Sequence, residues 1–315
     1  MIFLLAAFIG FFALFSVATV GVSASTAVSV VKPVGMIQDD ATPAGDGGYA
    51  HPEWLAEPAW LMEHLDDANV TVIGLTPASN FGNGHIPGAA QIDWQDLEIV
   101  DTSDPAIAAW QGEVEQILTR LGVARDDTVV IYDGGTLFAP RLWWVLHQLG
   151  HVDKRVLNGG LDAWEAAGGE IEEGEVAVEP ATEPYQGTPD DSALATLDEV
   201  EAALDDPNVI LVDSRTIEEY VDGHIPGAIS ITFTENAVAD DPKVWKSAED
   251  LRAMYEAAGV TPDTLVISYC STGVRSATTY FTLGLIGYEN VALYTGSWDE
   301  WNSHPELPTT RGRRP

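Results

Sequence analysis

Positive charge is scarce in this 315-residue sequence: 14 Lys+Arg stand against 49 Asp+Glu, a formal net charge of −35, and the lysines are only Lys32, Lys154, Lys243 and Lys246. Such a surface repels phosphate backbones and anionic headgroups, which argues against nucleic acid or an acidic membrane face as a partner. The acidic residues are scattered through both halves rather than gathered in a tail. That is the distribution expected of a surface adapted to high salt, where a Debye length of ~3 Å at 1 M screens self-repulsion. An ordinary acidic protein is the alternative. Cysteine is nearly absent too. Cys270 stands alone, which excludes an intrachain disulfide framework and dithiol chemistry needing a resolving partner. The histidines show no spacing suited to a metal, and neither metal nor cofactor is expected.

Charge of either sign is missing from Ile2 to Val31, and residues 2–20 are almost wholly apolar. That run is long enough to span a bilayer at ~20 residues. It also fits a secretory signal ending at Val22-Ser23-Ala24, although no Lys or Arg precedes it. A third reading starts the protein at Met36. The sequence favours export or anchoring through residues 2–31, with a cytoplasmic protein as the alternative if Met36 is the start.

What is present in quantity, 46% hydrophobic residues, suffices for real cores. Residues 1–35 form the apolar segment and 36–48 an acidic linker. Two bodies follow, 49–169 and 194–308, separated by a Glu/Pro-rich linker at 170–193 and ending in a tail at 309–315. The bodies repeat one another. Gly-His-Ile-Pro-Gly-Ala occurs at Gly84–Ala89 and Gly223–Ala228, TVVIY at Thr128–Tyr132 answers TLVISY at Thr264–Tyr269, and Gly-x-x-Asp-x-Trp closes each body at Trp164 and Trp301.

In the second body the pattern predicts helices over Leu197–Leu204, Ala248–Ala258, Ser276–Ile286 and Trp298–Asn302. It predicts strands over Val209–Val212, Ile229–Ile231, Leu265–Ser268 and Val291–Leu293. In the first body the clearest helices are Ile107–Leu121 and Arg141–Leu149. Short apolar strands alternating with helices argue for an α/β fold whose parallel sheets are covered on both faces.

The segment with chemistry runs from Val266 to Ser276, VISYCSTGVRS. A buried strand delivers Cys270 to a loop that opens a helix. Cysteine reacts as thiolate, which a helix N-terminus and successive backbone N–H groups favour. Gly273 lets those amides converge into an anion nest, and Arg275 adds a charge present at every working pH.

These elements together resemble the tandem-domain rhodaneses, the thiosulfate and 3-mercaptopyruvate sulfurtransferases, from about Pro52 to Pro308. The resemblance implies two tandem rhodanese-like domains with catalysis in the second. The position matching Cys270 in the first is Asp133, which cannot carry sulfur. It implies a Cys270 persulfide, loaded from thiosulfate and relieved by cyanide or a thiol. It also implies that Ser271, Thr272, Gly273, Val274 and Arg275 bind the donor, with Arg275 on its sulfonate. In the animal enzymes a donor-binding arginine lies four residues beyond the Asp-x-Arg segment. Here that segment is Asp213-Ser214-Arg215 and the fourth residue on is Glu219, so the charge is expected mainly from Arg275, with the first domain as a second source. Arg215 and Arg141 are further possible site residues.

The plainer readings are that His85 and His224 shape their turns, that Asp213 and Arg215 bond to each other or to nearby backbone, and that Trp143 and Trp144 pack. The rival functions are a mercaptopyruvate enzyme, a non-catalytic binding module and a cysteine phosphatase. Phosphatase loops place arginine six positions after cysteine, one more than here.

Overall fold

The computed structural model describes residues 48–315. The expected apolar segment and acidic linker at 1–47 lie outside that range, and with them the question of signal or anchor. Among the described residues no helix is long and apolar enough to cross a membrane.

The first domain runs β1 (Leu55–Ala56), α1 (Pro58–His64), β2 (Val70–Leu75), α2 (Ala78–Phe81), β3 (Ala90–Ile92), α3 (Asp104–Arg120), β4 (Thr128–Tyr132), α4 (Pro140–Gln148), β5 (Asp153–Leu157) and α5 (Gly160–Ala166). The second repeats it as β6 (Leu194–Ala195), α6 (Leu197–Ala203), β7 (Val209–Asp213), α7 (Ile217–Asp222), β8 (Ile229–Ser230), α8 (Ala248–Ala257), β9 (Leu265–Tyr269), α9 (Val274–Leu285), β10 (Val291–Tyr294) and α10 (Ser297–Ser303). Each sheet has five parallel strands, ordered β1-β5-β4-β2-β3 and β6-β10-β9-β7-β8. The central strands β4 and β9 are buried along nearly their whole length, as continuous apolar runs in a sheet covered on both faces must be. Register puts Ile131 beside Ile73 and Val156, and Ile267 beside Leu211 and Ala292.

The domains meet through corresponding elements. Helix α4 packs on α9. The Trp143 ring lies 4.9 Å from Phe281 edge-on and 4.5 Å from Trp54, and Trp245 is 5.2 Å from Phe281. One hydrophobic cluster runs continuously from Val129 and Trp144 to Phe281 and Leu293. Burying aromatics of 150–250 Å² each across a boundary ties the domains into one body.

The stretch 170–193 is a strap rather than a free spacer. Glu172 bridges to His85, Ala181 N–H bonds to the Thr119 carbonyl, and the Tyr185 hydroxyl meets Arg125 and His151. The tail does the same in the second domain, where Thr310 bridges to His224 and Gly312 N–H reaches the Val221 carbonyl.

Candidate active site

Strand β9 ends at Tyr269, so Cys270 sits beyond the carboxyl end of a central strand, where open α/β sheets place their sites. Its residue is only 1% exposed. The loop turns at Gly273, whose φ of +82° puts it in the left-handed region, and a Cβ there would lie 2.7 Å from Thr295 Oγ1 and 2.8 Å from the Thr295 carbonyl. Glycine is therefore required for both conformation and space. Helix α9 starts at Val274, two residues earlier than the sequence predicts, because Gly273 itself serves as the N-cap.

The loop is held from behind by the segment after β10. Cys270 N–H donates to Ser297 Oγ (3.1 Å), whose hydroxyl donates to the Tyr294 carbonyl (2.8 Å). The Cys270 carbonyl accepts from Trp298 N–H (3.0 Å) and that of Ser271 from Asp299 N–H (3.1 Å). Ser297 adopts a φ of +57°, unusual for a residue with a side chain. Among the described residues no protein oxygen accepts from the N–H groups of residues 271–275. Those amides are free to meet an anion at Cys270, as a nest at a helix start does. Half-buried Ser271, Thr272 and Arg275 form the rim.

A family model described as rhodanese-like domain matches residues 57–167 and 196–304. The chain belongs to the rhodanese family. It is 35% identical to the sulfur carrier protein TtuD of Thermus thermophilus over 84% of this chain and 99% of that one. It is 32% identical to a thiosulfate sulfurtransferase of Pseudomonas aeruginosa over 81% and 96%. With the 3-mercaptopyruvate sulfurtransferase of Escherichia coli the figures are 30%, 81% and 97%. The crystal structure of SseA from Escherichia coli, a 3-mercaptopyruvate sulfotransferase by its description, is similar with a TM-score of 0.68 and 30% identity over 78% of this chain and 99% of that one.

The side chain of Arg275, the expected donor-binding arginine, is already engaged within the loop. Its guanidinium makes a bidentate ion pair with Glu219 (2.7 and 2.9 Å) and donates to Ser271 Oγ (2.7 Å). Burial would lower its pKa, but the bonds to Glu219 and the charge of Cys270 raise it. Glu219 is lowered to about 2, chiefly by the Arg275 hydrogen bonds against its partial burial. It is also the third residue of α7, where it closes a capping box with Thr216. The residue standing where the animal enzymes have an arginine thus pairs with the loop arginine instead of adding to it. Arg275 is paired with Glu219, and its charge also acts on Cys270.

Arg215 is equally committed. It pairs with Asp213 (3.0 and 2.6 Å), donates to the Gly223 carbonyl (2.6 Å) and lies 4.7 Å over the Trp298 ring. It supports the loop through Trp298. His85 and His224 each face the carbonyl four residues back, at 2.9 and 2.8 Å, and stack on Phe81 and Tyr220. Neither imidazole faces the loop. Among the described residues no His/Cys/Asp/Glu group could hold a metal. Trp143 and Trp144 are fully buried in packing. Ser297 and Thr295, which shape the loop, carry no sequence signal of that role beyond their place two to four residues before Asp299 in the repeated ending.

Proposed function

We propose that this rhodanese moves a sulfane sulfur from thiosulfate to cyanide or a thiol through a persulfide on Cys270. The observation that carries the reading is the lone cysteine at the end of β9, followed by five loop amides that no protein oxygen occupies among the described residues. The Cys270 thiolate attacks the outer sulfur of thiosulfate. The new S–S bond forms as the old one breaks, and its electron pair leaves on sulfite. Cyanide then attacks the outer sulfur of the persulfide, thiocyanate departs and the thiolate returns. Two displacements on one nucleophile predict ping-pong kinetics. The amides of residues 271–275 stabilise the sulfur anion in each state.

Relatives named for thiosulfate and for 3-mercaptopyruvate both stand near this chain. The Cys-x-x-Gly-x-Arg loop favours thiosulfate. With mercaptopyruvate the C–S bond breaks instead and pyruvate leaves. The deciding experiment measures sulfite and thiocyanate from thiosulfate plus cyanide in molar KCl, with Cys270→Ser alongside. Turnover in the parent and none in the variant supports the reading. Turnover with mercaptopyruvate alone reassigns the donor. A folded parent inactive with both is a binding module, and hydrolysis of an aryl phosphate would favour a phosphatase.

A further inference from the structure

The buried Arg141 on α4 belongs to the domain that lacks the nucleophile. It is fully buried. Its Nη1 donates to Thr295 Oγ1 (3.0 Å) and its Nη2 to the Leu97 carbonyl, while Nε has no partner among the described residues. The guanidinium lies over the faces of Trp144 (5.0 Å) and Trp110 (6.0 Å). No carboxylate comes within ion-pair distance of it among the described residues. A buried charge without a counter-ion is costly, and cation–π contacts worth about 0.5–2 kcal/mol offset only part of that cost. Burial lowers its pKa to about 10, against the opposing charges of Cys270 and then Glu98, so it stays charged at neutral pH. Thr295, its bonding partner, is the residue against which Gly273 turns.

Resting on the sulfurtransferase reading of Cys270, we propose that Arg141 is the counter-ion of the Cys270 sulfur anion, supplied across the domain interface by the first domain. The loop's own arginine is already paired with Glu219, whereas Arg141 has no ion-pair partner among the described residues and feels the charges of Cys270 and then Glu98. It acts through space and through Thr295 as a positioning residue, holding thiolate and persulfide in their charged forms. Besides Cys270, the charged group that acts on it is Glu98.

The test is the pH dependence of Cys270 alkylation by iodoacetamide, which reads the thiolate without any donor and so stands whether or not thiosulfate is turned over. In Arg141→Met the midpoint should rise by about one pH unit, the shift expected on losing a nearby opposite charge. Thiosulfate turnover should fall about tenfold below the parent midpoint and recover above it, since one pH unit is one decade of thiolate. Arg141→Lys should keep most of the parent profile at low pH. An unchanged midpoint in folded Arg141→Met overturns the proposal. If that variant does not fold, Arg141→Lys carries the test. Its buried ammonium, unlike the guanidinium, should lose its charge within the titration range because desolvation disfavours it, adding a second step to the alkylation profile. A single step like the parent's overturns the proposal.

Discussion

At Asp133 and at Cys270 equivalent strands run out into equivalent turns, and the amides beyond them meet different things. In the first domain the Asp133 carboxylate accepts from Thr136 N–H (2.8 Å), Leu137 N–H (3.2 Å) and Ala139 N–H (2.7 Å). The nest is filled by the chain's own anion, and α4 begins only at Pro140. In the second domain the helix begins four residues after the cysteine, and among the described residues the amides of 271–275 have no protein acceptor. A cradle of N–H groups requires an anion. A permanent carboxylate makes it a structural joint, whereas a thiol that gains and loses sulfur makes it a site. The filled loop then turns outward to serve the open one. The Leu137 carbonyl accepts from Thr278 on α9 (2.6 Å) and the Gly135 carbonyl from Lys243 (2.8 Å).

Exchanging the two anions should break the comparison most severely. Cys270→Asp should abolish thiocyanate formation while leaving the fold intact, as a carboxylate fills the nest without carrying sulfur. The converse, Asp133→Cys, should not create a second carrier, because three amides there are set for two carboxylate oxygens. Cyanolysis of the thiosulfate-loaded variant should release one sulfur per chain, and two would refute the distinction between the loops. Asp133→Ala removes the acceptor of three amides, two of them buried. It should cost about 3 kcal/mol in urea denaturation, given about 1–3 kcal/mol for each donor left unsatisfied.

The duplication was legible because repeats show themselves in linear motifs, and the parallel α/β architecture followed from strand length and alternation. The Cys270 loop was legible for the same reason: cysteine, glycine and arginine lie within six residues of one strand. What escaped depends on contacts between distant residues. Glu219 meets Arg275 across 56 positions, and Arg141 reaches Thr295 across 154. Only packing reveals that one arginine is paired and the other is not. The strap at 170–193 reads as a linker because its Glu and Pro content is that of a solvated chain, yet the bridge to His85, the Ala181 bond to Thr119 and a buried Tyr185 fix it. Strands β1 and β6, two residues each, are too short to leave a period.

A subtler contrast lies at Gly160 and Ser297, which occupy the same place with φ of +59° and +57°. A Cβ at Gly160 would come within 2.4 Å of the Asp133 carbonyl. In the second domain serine takes the strained conformation and uses its hydroxyl to hold Cys270 N–H. Ser297→Ala keeps the strain and loses the bond, and should cost about 1 kcal/mol. Ser297→Gly also loses the bond but relieves the backbone by about 1 kcal/mol, so it should match the parent in urea. Both should lose activity several-fold if the bond positions the sulfur. An Ala variant as stable as the Gly variant would mean the left-handed serine carries no strain.

The smallest expected effect concerns the pair that has no counterpart at the first domain's loop. Glu219 has its pKa depressed to about 2 in the fold, against ~4.3 when unfolded. A depressed carboxylate binds fewer protons folded than unfolded. Its contribution is therefore complete above the unfolded value and is lost as pH falls from there toward about 2. The carboxylate is more than a third exposed, so solvent and salt screening hold the effect to a fraction of a kcal/mol, about the median for surface pairs. The difference in urea midpoint between the parent and Glu219→Gln should be small and constant above pH 5 and should shrink on acidification. Glu219→Gln also frees the Arg275 charge beside Cys270. If Arg141 is the dominant counter-ion, that release should move the alkylation midpoint downward by less than Arg141→Met moves it upward. The reverse ranking would return the leading electrostatic role to the second domain's own arginine.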